Sequence, residues 1–313
     1  DEAFYGLGQH QNYLMNQKGK EIKVWHDYDA PGGESVGVPF LVSSKNYGIL
    51  FDNTSRITVR PVRDEKYEWI CDIGDALSFF IFCGSNADEV YGCYRKLTGA
   101  APIPPKYAFG FMQSKERYKT QQELLEVGRK YREKGYPCDM LIVDWYHWKH
   151  LGDFTMDPEY WPDPAEMNRE LKELGFRTMV SIWPRAVRES PNYAYLEKKG
   201  WFMRDKDGKP VYGTPTDPRG PDLDTTNPEC GQWLWGKIRD GYYKNGFSAW
   251  WLDETEPDIP PLEYYFHVGS GARYFNLYPY THAEAVYKGH RKDTKERCLS
   301  MLRAAFTGTQ RFG

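Results

Sequence analysis

Hydrophobic and polar positions follow two different rhythms along this chain. Over the first hundred residues the apolar positions fall in short runs, "VPFLVSS", "YGILFDN", "ITVRPV", "YEWICDI" and "LSFFIFCG", bounded by Gly, Asn, Asp and Ser. Short runs rich in β-branched and aromatic residues, separated by turn formers, predict antiparallel strands of a sandwich or related sheet. "DEVYGCYRKLTG" then predicts a short helix, and the proline-rich "APIPPK" at 101–106 predicts a break between domains.

Beyond the break, strands and helices alternate. "YAFGFMQS", "DMLIVDWYHW", "RTMVSIWP", "FSAWWLDE" and "ERCLSMLRAAF" predict strands. "TQQELLEVGRKYREKG", with apolar residues recurring at three and four, predicts a helix, as do "PAEMNRELKELG", "NPECGQWLWGKIRDGYYKNG" and "YPYTHAEAVYKGHRK". The third of these helices has Asn227 or Thr226 as its cap and Gly246 as its stop. The strands lack polar alternation, as expected of parallel strands covered on both faces. The expected fold class is therefore α/β. Repeated βα units with strand-end acids favour a barrel over a doubly wound sheet: residues 101–313 are expected to be the N-terminal part of a (β/α)8-type barrel, with about five strands present, and residues 1–100 the C-terminal part of a β-sandwich domain. No GxGxxG or GxxxxGK[ST] motif favours a nucleotide fold.

Composition narrows the partners. The 313 residues are 40% apolar with a formal net charge of −3, which points to neither nucleic acid nor a membrane surface. No run approaches the roughly 18 apolar residues that would span a bilayer. Six cysteines are scattered without a CxxC pair and read as mostly buried thiols. Compartment stays open, with cytoplasmic, periplasmic and secreted locations all compatible, and so does oligomeric state. The 11 Trp and 24 Tyr matter more, because aromatic faces stack on the C–H faces of sugars as well as filling cores.

In a βα barrel the chemistry sits at the strand C-termini. Strand two ends in Asp144, Trp145, Tyr146, His147 and Trp148; strand three in Trp183 and Arg185; strand four in Asp253 and Glu256; strand five near Arg303. In "WWLDETEPDIPP" the apolar residues stop at Leu252 and four acids, Asp253, Glu254, Glu256 and Asp258, follow within six positions. A barrel strand carries charge only once it leaves the core, and Asp253 is the first residue out. Acids beside aromatics, without a phosphate loop, suit a neutral polyhydroxylated substrate such as an oligosaccharide. One carboxylate would attack or stabilise the anomeric carbon while a second acid protonates the leaving oxygen. "HWKH" sets His147 and His150 near Asp144 and Asp153, but HExxH and a Cys/His quartet are absent, so this loop is read as packing on aromatics rather than holding a metal. No cofactor is expected, and GxSxG is absent as well.

"WWLDETEPD" resembles the W-x-D-x-x-E segment of glycoside hydrolase family 31, the α-glucosidases and α-xylosidases. "YGLGQHQNYLMNQKGK", "VPFLVSSKNYGILFDNTS", "KYAFGFMQSKERY", "LIVDWYHW", "DFTMDPEYWPDP" and "LDTTNPE" are similar to further family segments in the same order. The resemblance implies a retaining double displacement with Asp253 as nucleophile and Glu256 as a supporting acid. It implies that Asp144 binds sugar hydroxyls, that Trp183 lines the pocket, and that Arg303 reaches the same sugar. Trp145, Tyr146 and Trp251 are counted with them as substrate-binding aromatics, and Tyr5, Gln9 and His10 are weaker candidates from the sandwich domain. The family's general acid follows the stretch "GTQRFG", so it is expected beyond Gly313, and the chain is read as an internal piece of a longer enzyme. Bulky Trp145 and Tyr146 after Asp144, together with "GLGQHQNYLMN", lean toward α-xylosidase. An α-glucosidase, an α-transglucosylase and a glycan-binding pseudoenzyme are the alternatives.

Overall fold

A computed structural model of the chain describes residues 2–26, 35–63, 66–212, 219–256 and 263–313. Seven strands come first: β1 (Phe4–His10), β2 (Ile22–Val24), β3 (Ser35–Ser43), β4 (Tyr47–Phe51), β5 (Ile57–Pro61), β6 (Tyr67–Cys71) and β7 (Phe79–Cys83), followed by α1 (Ala87–Thr98). Then come β8 (Met112–Gln113), α2 (Gln121–Glu133), β9 (Met140–Val143), α3 (Pro164–Glu173), β10 (Arg177–Ile182), α4 (Tyr193–Lys199), α5 (Pro228–Gly241) and β11 (Ala249–Leu252). The short β12 (Tyr265–Phe266), β13 (Gly269–Ser270) and α6 (Gly271–Tyr274) precede α7 (Tyr278–Asp293) and β14 (Ser300–Leu302). Two compact units result. One holds Asp1–Pro102, Glu256–Thr281 and Arg303–Arg311; the other holds Ile103–Thr255, His282–Leu302 and Phe312–Gly313.

The first unit is β-rich. Its described residues form an antiparallel sheet in the order β1-β3-β4-β7 and a second in the order β2-β5-β6. Leu7, Leu41 and Phe51 from the first sheet bury against Ile22, Val24, Ile57 and Val59 from the second, which makes a sandwich. On the outer face of the four-stranded sheet, Phe40, Val42, Leu50 and Phe82 pack on Val90 of α1. β1 and β2 go beyond the runs read from sequence. In "FYGLGQH" the pairing of β1 with β3 shifts register between Gly6 and Gly8, a bulge that masks the strand pattern.

The second unit carries a five-stranded parallel sheet, in the order β14-β11-β10-β9-β8 among the described residues. Sequence order is spatial order, as in a barrel wall. All five strand segments expected from the sequence are present, and this part of a (β/α)8 barrel follows a β-rich domain as anticipated. Both faces are buried. Leu141, Val143, Val180, Ile182, Trp250 and Leu252 face the helices, while Met140, Ile142, Met179 and Ala249 form the inner layer. Side-chain oxygens start the helices: Thr120 accepts from Glu123 N–H, Asp163 from Glu166 N–H and Asn227 from Glu229 N–H. Asn227, not Thr226, is thus the cap of α5, and that helix ends at Gly241 rather than Gly246, which closes the following turn.

"YAFGFMQS" departs from expectation. Only Met112–Gln113 pairs as strand, and Lys106–Phe109 forms a 3-10 turn. Its Phe109 and Phe111 are exposed, so the apolar run there is a surface run and not a core strand. The cysteines are all free thiols; Cys138, Cys230 and Cys298 are buried and Cys83 is exposed.

Candidate active site

Strand alternation selects the side chains that meet at the mouth. In β9, Met140 and Ile142 point to the inner layer while Leu141 and Val143 point to the helices, so Asp144 continues on the inner side. β10 repeats this with Met179, then Ser181, then Trp183, and β11 with Ala249, Trp251 and Asp253. Register levels them. Met179 pairs with Ile142 and Ser181 with Trp251, which sets Trp183 and Asp253 one inward position further along adjacent strands. The ladder itself continues past β11, since Asp253 N–H donates to the Ile182 carbonyl at 3.1 Å. Asp144, Trp183 and Asp253 are therefore brought together on the inner face at the strand C-termini. All three are buried. Trp251 sits one layer below, partly buried against Met140, Ile142, Met179 and Ala249.

The backbone turns sharply just after each acid. Glu254 has φ of 54° and Tyr146 has φ of 57°, the left-handed region that side chains rarely adopt. Such conformations cost about 1–3 kcal/mol and persist where the surroundings over-determine them. At Glu254 those surroundings are ionic. Its carboxylate lies 3.6 Å from Arg185 and 3.3 Å from Arg219, and Arg185 pairs with Asp222 at 2.9 Å. The Arg185 side chain is only 1% exposed. Asp222 arrives on a segment that bridges back to Arg185, with Leu223 N–H donating to the Pro184 carbonyl. The sequence pointed to Arg185 but not to its partners Asp222 and Glu254, nor to Arg219 as the second partner of Glu254. Within the first unit, Arg303 Nε donates to Glu256 Oε2 at 2.9 Å, and Glu256 is buried.

Around Asp144 the environment is aromatic. Trp145 stacks on Trp183 with ring centroids 5.1 Å apart, and Trp148 meets Trp183 edge-on at 6.0 Å. Tyr146 is half exposed, tilted against Trp145, with the Arg117 guanidinium over its ring at 5.0 Å. Trp183 Nε1 is buried with no acceptor among the described residues. Asp144 Oδ1 accepts the Trp145 N–H at 2.7 Å. Burial raises the Asp144 pKa above the ordinary carboxylate value, against the lowering effect of that hydrogen bond.

His147 serves structure here. It is buried, one ring nitrogen bonds the Asp144 carbonyl at 2.9 Å and the other the Tyr242 hydroxyl at 2.9 Å. A neutral ring that donates from Nδ1 to the carbonyl and accepts at Nε2 satisfies both, and burial depresses its pKa to about 4. It thereby anchors the segment after β9 to the end of α5. Gly241 completes that anchor, because a Cβ there would meet the Phe154 carbonyl at 1.9 Å. Among the described residues no three His, Cys, Asp or Glu side chains are grouped to hold a metal ion. Asp258 lies outside the described residues.

Buried carboxylates beside stacked indoles can accept hydroxyl hydrogen bonds, cover a pyranose face and attack an electrophilic carbon. Residues 101–313 match the family model of the glycosyl hydrolases family 31 TIM-barrel domain. The chain belongs to glycoside hydrolase family 31. Residues 1–59 also match the family 31 N-terminal galactose mutarotase-like domain. An α-xylosidase of Saccharolobus solfataricus is 33% identical over 99% of this chain and 42% of its own length. An uncharacterized family 31 glucosidase of Pseudescherichia vulneris is 31% identical over 100% of this chain and 58% of its own. A family 31 α-xylosidase from a soil metagenome, solved in complex with xylose, superimposes with a TM-score of 0.92 at 33% identity and covers 100% of this chain and 46% of that one. The chain thus spans about half the length of the family 31 relatives it matches. The resemblance read from "WWLDETEPD" and its companion segments is borne out.

Proposed function

We propose that this chain carries the nucleophile side of a retaining α-glycosidase site, with Asp253 attacking the anomeric carbon of a terminal α-linked xylosyl residue. The observation that carries the reading is the convergence of Asp144, Trp183 and Asp253 on one inner face at the strand ends. In this reading Asp253 forms the covalent glycosyl ester and water later cleaves it. Asp144 accepts hydroxyl hydrogen bonds from the bound sugar, and the Trp145–Trp183 stack covers its ring. Glu256, in the segment that follows Asp253 and paired with Arg303, is a supporting acid; Tyr146 and Trp251 complete the aromatic surround. The bulk of Trp145 and Tyr146 supports a pentose, which has no hydroxymethyl group to house. The similarity to α-xylosidases supports the same choice, and an oligosaccharide bearing α-xylose is the proposed substrate class.

Turnover of 4-nitrophenyl α-D-xyloside and of its α-D-glucoside tests this, because nitrophenolate leaves without a protonating acid. The expected kcat/KM is higher for the xyloside, and Asp253→Asn lowers it by about 10³-fold or more. An Asp253→Asn variant within about tenfold of the parent would remove Asp253 from the reaction. A preference for the glucoside would move the substrate to the α-glucosidase side and leave the nucleophile in place.

A further inference from the structure

We propose a second carbohydrate site on the outside of the barrel unit, in the cleft between the 153–155 segment and the C-terminal half of α5. The cleft encloses about 370 Å³, and Asp153, Phe154, Trp233, Gly236 and Lys237 line it. That volume suits one pyranose unit of a longer, otherwise solvated oligosaccharide.

Glycine usage in α5 is the first argument. The helix contains Gly231, Gly236 and Gly241. Packing accounts for two of them: a Cβ at Gly231 would meet Ala285 Cβ at 2.8 Å, and one at Gly241 would meet the Phe154 carbonyl at 1.9 Å. A Cβ at Gly236 would meet nothing within 4 Å. A mid-helix glycine costs about 1 kcal/mol relative to alanine, and no neighbour demands it here. Gly236 opens onto the cleft, which lets a ligand approach the helix backbone closely.

Chemistry of the walls is the second argument, independent of the first. The Trp233 ring is braced edge-on by Phe154 at 5.8 Å and stacked with Tyr195 at 6.3 Å, so it offers a fixed apolar surface. Asp153 lines the cleft, and its Oδ2 accepts the His150 N–H at 3.0 Å. The Lys237 ammonium sits 5.4 Å from the Trp233 ring centroid. Asp240 at the rim is neutralised by Arg239 and Lys244. A carboxylate acceptor disfavours anions and an ammonium disfavours cations. An apolar face with one acceptor and one donor fits a neutral ring bearing hydroxyls.

None of this uses Asp253, so the two readings fail separately. The test is 19F NMR of the chain labelled with 5-fluorotryptophan, in an Asp253→Asn background that prevents turnover. The Trp233 signal is assigned by Trp233→Phe, and cellotetraose and maltotetraose are titrated in turn. The expected result is a saturable shift of the Trp233 signal with at least one sugar, half complete in the millimolar range. Gly236→Leu fills the cleft and places a better helix former on an open face, so it should keep the thermal midpoint while weakening the shift by about tenfold or more. Asp153→Asn, which retains an acceptor for the His150 N–H, should weaken it as well. A Trp233 signal unmoved by both sugars, or moved equally in Gly236→Leu, would overturn the proposal.

Discussion

Replacing Arg185 by Met tests whether the ionic network holds the backbone behind Asp253. Arg185 pairs with Asp222 at 2.9 Å and reaches Glu254 at 3.6 Å, and the Asp222 side chain is only 3% exposed. Glu254 keeps Arg219, whose side chain is 38% exposed and so anchors it more weakly. Most of the cost therefore falls on Asp222, left in a low-dielectric site without its guanidinium. Breaking one partner of a buried pair costs about 3–5 kcal/mol. For a unit of this size that corresponds to a fall of roughly 6–20 °C in thermal midpoint. Arg185→Lys should recover only part, since an ammonium cannot reproduce the planar fork. Arg185→Met combined with Asp222→Leu should be more stable than Arg185→Met alone, because no buried charge is stranded. Urea denaturation of the parent, both single variants and the double variant gives the coupling directly. A loss below about 1 kcal/mol for Arg185→Met, or a double variant no better than the single, would mean that the ion pair does not hold this backbone.

Two pH dependences follow from burial. His147 titrates at about 4 when folded against 6.5 when not, so its contribution is complete above 6.5 and is lost as pH falls from 6.5 to 4. The shift corresponds to about 3 kcal/mol, and His26 and His282, depressed to about 4 and about 3, add in the same direction. His147→Gln, which keeps one donor and one acceptor, should flatten part of that acid slope in urea unfolding at stepped pH; an unchanged slope would contradict the assignment. Asp144 works the opposite way, because burial raises its folded-state value and the folded protein holds the proton longer than the unfolded one. Stability falls as pH rises from the ordinary carboxylate value through the raised one, so Asp144→Asn should gain on the parent over that window and then run level. A gain that appears on acidification instead would refute it.

Much of this architecture is written in local pattern. The inner side chains Asp144, Trp183 and Asp253 follow from strand alternation alone, once the apolar runs before them are read as parallel strands. Where local pattern fails, a particular physical cause stands behind it. "YAFGFMQS" is apolar because it carries exposed Phe109 and Phe111, not because it is a buried strand. β1 is hidden by Gly6 and Gly8, which read as turn formers but make a bulge; a Cβ at Gly6 would meet the Phe40 carbonyl at 2.4 Å. The Arg185–Asp222–Glu254 network was not legible, because it joins residues far apart in sequence and depends on the left-handed backbone at Glu254. An arginine directly after a strand end was its one visible trace.

The role proposed for Asp253 is that of a glycosyl-accepting nucleophile. Incubation with 5-fluoro-α-D-xylosyl fluoride, followed by intact-mass and peptide mass spectrometry, addresses it most directly, because fluoride departs without strong acid assistance. One xylosyl adduct per chain is expected, on the peptide that contains Asp253, formed faster than with the glucosyl analogue and abolished by Asp253→Asn. A folded chain that gains no adduct from either fluoride, or gains one on a different carboxylate, would contradict it.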